Sequence, residues 1–172
     1  MKDFIKPIIV LTLICLFVSG LLAYGNYKTQ PAIQKAAAAR TEAARREVLP
    51  NAESFVQLEA EGLPPAISEV LGTSNNVGFI FMVNVEGYGG EIKIICAIGP
   101  DGKIIKNKTL SQSETMGIAT PVFEREYLFT GKDINQADSI DGIAGATITS
   151  RAYMNGIHDA FTAFEIVKEM QF

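Results

Sequence analysis

The sequence predicts an α+β protein in which one N-terminal transmembrane helix precedes an antiparallel sheet with packed helices. Three observations predict it: an uncharged run from Pro7 to Tyr27, β-rich segments broken by glycine and proline between residues 77 and 110, and a helical apolar period from Ser150 to Met170. At 172 residues the chain has room for one modest domain. Its 48% apolar and 20% charged content excludes a disordered acidic tail, and its net charge of -4 excludes a basic nucleic-acid-binding module. Charge is unevenly divided. Residues 1–50 hold seven basic and three acidic side chains, whereas residues 51–172 hold eight basic and sixteen acidic. A basic foot thus carries an acidic body.

The 21 residues PIIVLTLICLFVSGLLAYGNY (7–27) contain no charge. As a helix rising about 1.5 Å per residue they cover roughly the 30 Å of bilayer hydrocarbon, so lipid is an expected partner. A cleavable signal peptide is the alternative, with Lys2 and Lys6 as its basic region and Ala23-Tyr24-Gly25 as a small-x-small site. The run exceeds the usual apolar core of about 7 to 15 residues, which favours an anchor. Lys28, Lys35, Arg40, Arg45 and Arg46 outnumber Lys2 and Lys6, so a positive-inside count alone leaves the body in the cytoplasm. That rule weakens for long translocated domains, and composition does not settle the side.

After the span, QPAIQKAAAARTEAARREVLP reads as a helix closing at Pro50. Residues 51–76, with Pro64-Pro65 and Asn75-Asn76, read as an acidic, partly helical connection. Strands are expected at Val77–Val85 and Glu91–Ile98, separated by Gly87-Tyr88-Gly89-Gly90; in the second, Ile92, Ile94, Cys96 and Ile98 alternate. The turn Gly99-Pro100-Asp101-Gly102 leads to a third strand over Lys103–Leu110, which makes a three-stranded meander the minimum. Thr120-Pro121 has the cap and first-turn pattern of a short helix reaching about Phe129 and stopped by Gly131. From Ser150, apolar Tyr153, Ile157, Ala160, Phe161, Phe164 and Val167 follow the 3.6-residue period of a helix laid on the sheet.

Several chemistries leave no trace. Cys15 and Cys96 form no C-x-x-C pair, so neither a zinc nor an iron-sulfur site is legible, and no glycine fingerprint for nicotinamide binding is present. Nucleotide-binding P-loop, H-E-x-x-H and G-x-S-x-G patterns are also missing. The single histidine, His158, has Asp159 beside it but no nucleophile motif, and reads as a surface or structural residue.

The informative stretch is Asp141-Gly142-Ile143-Ala144-Gly145-Ala146-Thr147-Ile148-Thr149-Ser150, just ahead of the last helix. Glycines there permit close backbone approach, and a helix start offers free N–H groups and a positive dipole end to a phosphate. The plain alternative is that Thr149 or Ser150 caps the helix and the glycines make the turn.

D-G-I-A-G-A-T at 141–147 resembles the flavinylation motif Asp-x-x-Ser/Thr-Gly-Ala-Thr of the FMN-binding domain family. The order of features along the chain adds to the likeness: one span, an Ala-rich helix, Gly-Tyr-Gly-Gly between strands, Ser-Glu-Thr-Met-Gly at 113–117, and the threonine motif before a terminal helix. It is most similar to the branch of the family found in Rnf-type ion-translocating complexes linking ferredoxin and NAD. A related branch serves sodium-translocating NADH:quinone reductases. Ala144 stands where the family usually has Ser or Thr, and Met116 where it more often has Pro.

The resemblance implies FMN held covalently by a phosphoester to Thr147, attached by a flavin transferase. It implies an electron relay in a bacterial cell-membrane complex with other membrane subunits, the C-terminal domain lying outside the cytoplasm. On this view residues 1–6 are a cytoplasmic terminus, 7–27 the span, 28–76 the Ala-rich helix and connection, and 77–172 the FMN-binding domain. Around Thr147, Gly145 and Ala146 leave room for phosphate, Thr149 and Ser150 offer hydroxyls at the helix start, and Asp141 serves the transferase and its metal or caps the loop. Glu114, Thr115 and Gly117 match the loop bordering the flavin, with an ordinary strand-to-helix loop as the alternative; Tyr88 is a candidate to stack on a ring. A free-standing membrane-anchored flavoprotein would share the motif, and a non-redox adaptor domain would lack flavin.

Overall fold

The computed structural model describes residues 2–169. They fall into two compact units that divide between Arg40 and Thr41. Helix α1 runs from Lys2 to Val48 with Pro7 and Pro31 inside it. Among the described residues of the first unit the apolar side chains are exposed: Leu16, Phe17 and Leu22 are between 65% and 69% exposed. One 18-residue stretch has a mean hydropathy of 2.5 and no buried position, so α1 is long and apolar enough to cross a membrane.

The second unit is built on a five-stranded antiparallel meander in chain order: β1 (Phe55–Leu58), β2 (Ile67–Thr73), β3 (Phe79–Glu86), β4 (Glu91–Ile98) and β5 (Ile104–Ser111). Period-2 geometry sends Phe79, Phe81, Val83 and Val85 of β3, and Ile92, Ile94, Cys96 and Ile98 of β4, to one face. There they meet α4 (Thr147–Val167), whose Tyr153, Ile157, Ala160, Phe161, Phe164 and Val167 are all buried. Burial in this apolar layer pushes the Cys96 thiol up to about 12. On the opposite face Leu71, Ile80, Met82, Ile95 and Ala97 are covered by Ala44, Val48 and Leu49 from the end of α1. Arg45 holds Glu69 at 2.6 Å, and Glu47 receives Lys106 at 2.9 Å and Lys108. Hydrogen bonds from Lys108 and Lys106 lower the Glu47 pKa.

Residues 51–76 are not a partly helical connection. They supply β1 and β2, and Asn75-Asn76 lies in the turn between β2 and β3, where Asn76 has a φ of 56° and Thr73 Oγ1 donates to Gly78 O at 3.0 Å. The strands are hard to read because β1 has only four residues and a register shift between Ile67 and Glu69 breaks the alternation of β2.

Past β5 come α2 (Thr120–Glu124) and a 3-10 turn (Glu126–Phe129), within the span of the expected short helix, and then α3 (Ile134–Ala137); α3 was not expected from the sequence. Thr120 is not the cap of α2: Ala119 is, and Thr120 Oγ1 accepts from Gly117 N at 2.9 Å. The segment covers the free edge of β5. Gly131 N donates to Ile104 O at 2.7 Å, Ile104 N to Lys132 O at 2.9 Å, and Thr109 N to the Glu126 carboxylate at 2.6 Å. Tyr153 OH accepts from Asn107 Nδ2 at 2.8 Å and donates to Glu126 at 3.4 Å. Burial raises the Glu126 pKa, and burial lifts that of Tyr153 well above the phenol range. α4 starts at Thr147, three residues ahead of the expected Ser150; the expected end at Met170 lies outside the described residues.

Candidate functional site

Two loops converge on the start of α4. The first joins β3 to β4, and Gly87 N donates to Gly90 O at 2.9 Å to close it. A turn alone does not account for its glycines. A Cβ at Gly89 would lie 2.3 Å from Ser113 O, and one at Gly87 would lie 2.1 Å from a Glu114 carboxylate oxygen. The segment 113–114, which follows β5, lies against this loop so closely that side chains are excluded. The second loop is 138–146, which leads into α4 and carries Gly145 at a φ of 86°.

The carboxylate of Glu114 joins three pieces of chain. It is buried at 6% exposure, accepts from Gly89 N at 2.9 Å through Oε1, and accepts from Thr149 Oγ1 at 2.6 Å through Oε2. Its own N–H donates to the Gln112 side chain at 2.6 Å. Above it opens a cleft of about 400 Å3 lined by Tyr88, Thr115, Ile118, Ala119 and, from the α4 end, Gly145–Thr149. Tyr88, Ile118 and Ile148 are 72%, 56% and 56% exposed, an apolar rim on a cleft with a charged floor.

At the start of α4 the cap residue is Ala146, which has no side chain to offer the first turn. The N–H groups there therefore lack both an intrahelical and a side-chain partner. Thr147 is the first helical residue and is exposed, so its hydroxyl is open at that end of the helix. Neither Thr149 nor Ser150 caps the helix. Thr149 is buried with its hydroxyl given to Glu114, and Ser150 Oγ accepts from Ile143 N at 3.0 Å, which ties the incoming loop to the helix.

The cleft gathers Glu114, Thr115, Gly145, Ala146, Thr147 and Thr149. Gly117, exposed with a φ of 86°, is in the same loop as Thr115 but does not line the cleft. Asp141 and Ser150 stand on the other side of the loop, around a small cavity with Arg125 and Ile143. A second cavity of about 400 Å3, lined by Ala144, Ser150, Arg151 and Asn155, also reaches Thr147. Sequence reasoning missed Ile118 and Ile148 as lining residues, because isolated apolar side chains in loops and first turns carry no pattern. His158 pairs with Asp138 across the α3–α4 junction rather than with Asp159, consistent with a structural residue.

The segment 87–162, from the glycine loop to the middle of α4, matches the family model described as the FMN-binding domain. The chain is also similar to curated proteins over most of its length. The G subunit of an ion-translocating oxidoreductase complex of Methanosarcina acetivorans is 28% identical over 92% of this chain and 93% of its own length. The G subunit of a Na+-translocating ferredoxin:NAD+ oxidoreductase complex of Acetobacterium woodii is 27% identical over 93% of both. The G subunit of a proton-translocating ferredoxin:NAD+ oxidoreductase complex of Clostridium ljungdahlii is 28% identical over 87% of this chain and 85% of the relative. Residues 87–162 thus match the FMN-binding domain, on a chain similar over most of its length to the G subunits of ion-translocating oxidoreductase complexes.

Proposed function

We propose that this chain is the FMN-carrying electron-relay subunit of an Rnf-type ion-translocating ferredoxin:NAD oxidoreductase complex, with FMN joined to Thr147 through its phosphate by a flavin transferase. One observation carries the reading: an exposed threonine hydroxyl at an uncapped helix start opens on an apolar-rimmed cleft, inside the segment that matches the FMN-binding family. The residues present fit the group. A Cβ added at Gly145 would meet no atom within 4 Å, free first-turn N–H groups and the helix dipole favour a phosphate at Thr147, and a cleft of about 400 Å3 is within the range of small-molecule sites. Thr147, Gly145 and Ala146 would hold the phosphate; Tyr88, Thr115, Ile118 and Ile148 would flank the ring system. When bound, FMN would supply the electron exchange, while the chain supplies position and electrostatics.

The same reading makes Pro7–Tyr27 a single-pass anchor in the bacterial cell membrane, followed by the Ala-rich helix, and places the FMN-binding domain, with β1 and β2 in its sheet, outside the cytoplasm. The names of the relatives support a complex of several subunits as the setting. A chain with one flavin site and no second redox-centre motif needs neighbours on both sides, so little activity is expected from it alone. Thr147→Ala in the complex is expected to leave assembly intact and to stop ferredoxin-dependent NAD reduction. An assembled mutant complex that reduced NAD at an undiminished rate would put the flavin off the electron path.

A further inference from the structure

Glu114 is a charged side chain placed where charge is costly. It is 6% exposed, lies among Tyr88, Ile118 and Ala119, and among the described residues no cation pairs with it. Two neutral donors compensate it, Gly89 N and Thr149 Oγ1. Burying a carboxylate without an opposite charge is unfavourable in general, and a glutamine of the same shape would avoid that charge. As a mere brace the choice of residue is therefore poor. As a source of field it is apt, because Glu114 lines the cleft and is itself buried, and a buried charge is screened less than a surface one.

We propose that Glu114 sets the redox potential of the flavin in this cleft: its buried carboxylate, held by Gly89 and Thr149, opposes the negative charge gained on reduction and so keeps the potential low. The inference rests on the reading of the cleft as the FMN site. Reduction adds electrons to the occupant of the cleft, and a fixed negative charge beside it disfavours the reduced form in proportion to its proximity and lack of compensation. Thr149 acts through Glu114. Its hydroxyl delocalises the carboxylate charge through a short hydrogen bond, which weakens the field on the flavin side. The glycines at 87 and 89 are what let the backbone come close enough for the other bond, since a Cβ at either would strike the 113–114 segment.

Two substitutions separate charge from scaffolding. Glu114→Gln removes the charge and keeps the shape, so the midpoint potential should move to more positive values. Thr149→Val keeps the charge and removes one donor, so the potential should move the other way. The measurement is an equilibrium redox titration of the full chain in detergent, monitored by flavin absorbance, with covalent loading read separately by intact mass and unfolding temperature recorded for each variant. Loosening of the clamp without an electrostatic role would lower the unfolding temperature of both variants and shift both potentials in the same direction or not at all, and either result would overturn the proposal. So would loss of loading in both variants while the fold is retained, since it would assign Glu114 and Thr149 to attachment. Failure of the wild-type chain itself to carry FMN would instead refute the reading of the site on which the proposal rests.

Discussion

Thr147 and Thr149 carry the same hydroxyl two residues apart, yet their surroundings differ entirely. Thr147 is exposed at the uncapped first position of α4, whereas Thr149 is 3% exposed and donates a hydrogen bond to Glu114. Thr149→Val is therefore expected to retain the flavin adduct, as seen by fluorescence of the denatured chain in a gel. Glu126 offers a second test at this scale. Burial raises its pKa in the fold, so the folded state holds the proton more tightly than the unfolded chain does. Its contribution to stability is present below the ordinary carboxylate value and is lost as pH rises through the raised one. The unfolding temperature of the wild type relative to Glu126→Gln should accordingly fall as pH increases from the ordinary carboxylate range upward; a difference independent of pH would show that Glu126 does not titrate differently in the fold. The loop at 141–147 that leads into a helix was legible because glycine spacing is local. The role of Glu114 was not, because the carboxylate closes a contact with Thr149 across 35 residues and another with Gly89 across 25.

Among the elements, β4 coincides with its expected span of Glu91–Ile98, and β3 and β5 lie within two residues of theirs, because runs rich in β-branched residues are bounded there by glycine turns. The first two strands carry weaker signals. β1 is short and half exposed, and β2 bears an irregularity, so periodicity gave no signal for either. The start of α4 was misread for a different reason: a hydroxyl was expected at the cap, whereas Ala146 occupies it and the hydroxyls of Thr149 and Ser150 are spent on Glu114 and Ile143. The glycine loop between β3 and β4 can be tested directly. Gly89→Ala places a methyl 2.3 Å from a backbone carbonyl, and overpacking of this kind costs about 1–3 kcal/mol. Urea unfolding of the full chain should show that loss, while Gly131→Ala, with no atom within 4 Å of its added Cβ, tests a purely conformational cost at a positive φ of 76°. Equal destabilisation of the two would remove close approach as the reason for glycine at 89.

For the whole molecule, the proposed function makes the chain a tethered flavin carrier, and its sidedness would decide what can reach it. Charge counting favours a cytoplasmic body and the family likeness favours the opposite side. Protease added to intact spheroplasts is expected to digest the body, and protection until lysis would reverse the topology. The central claim, however, is chemical and rests on one oxygen atom. Intact-mass measurement of the full chain, co-expressed with a flavin transferase, tests it most directly: the wild type should carry one FMN and Thr147→Ala none. An adduct that persists in Thr147→Ala and disappears only when another hydroxyl near the start of α4 is removed would contradict the account.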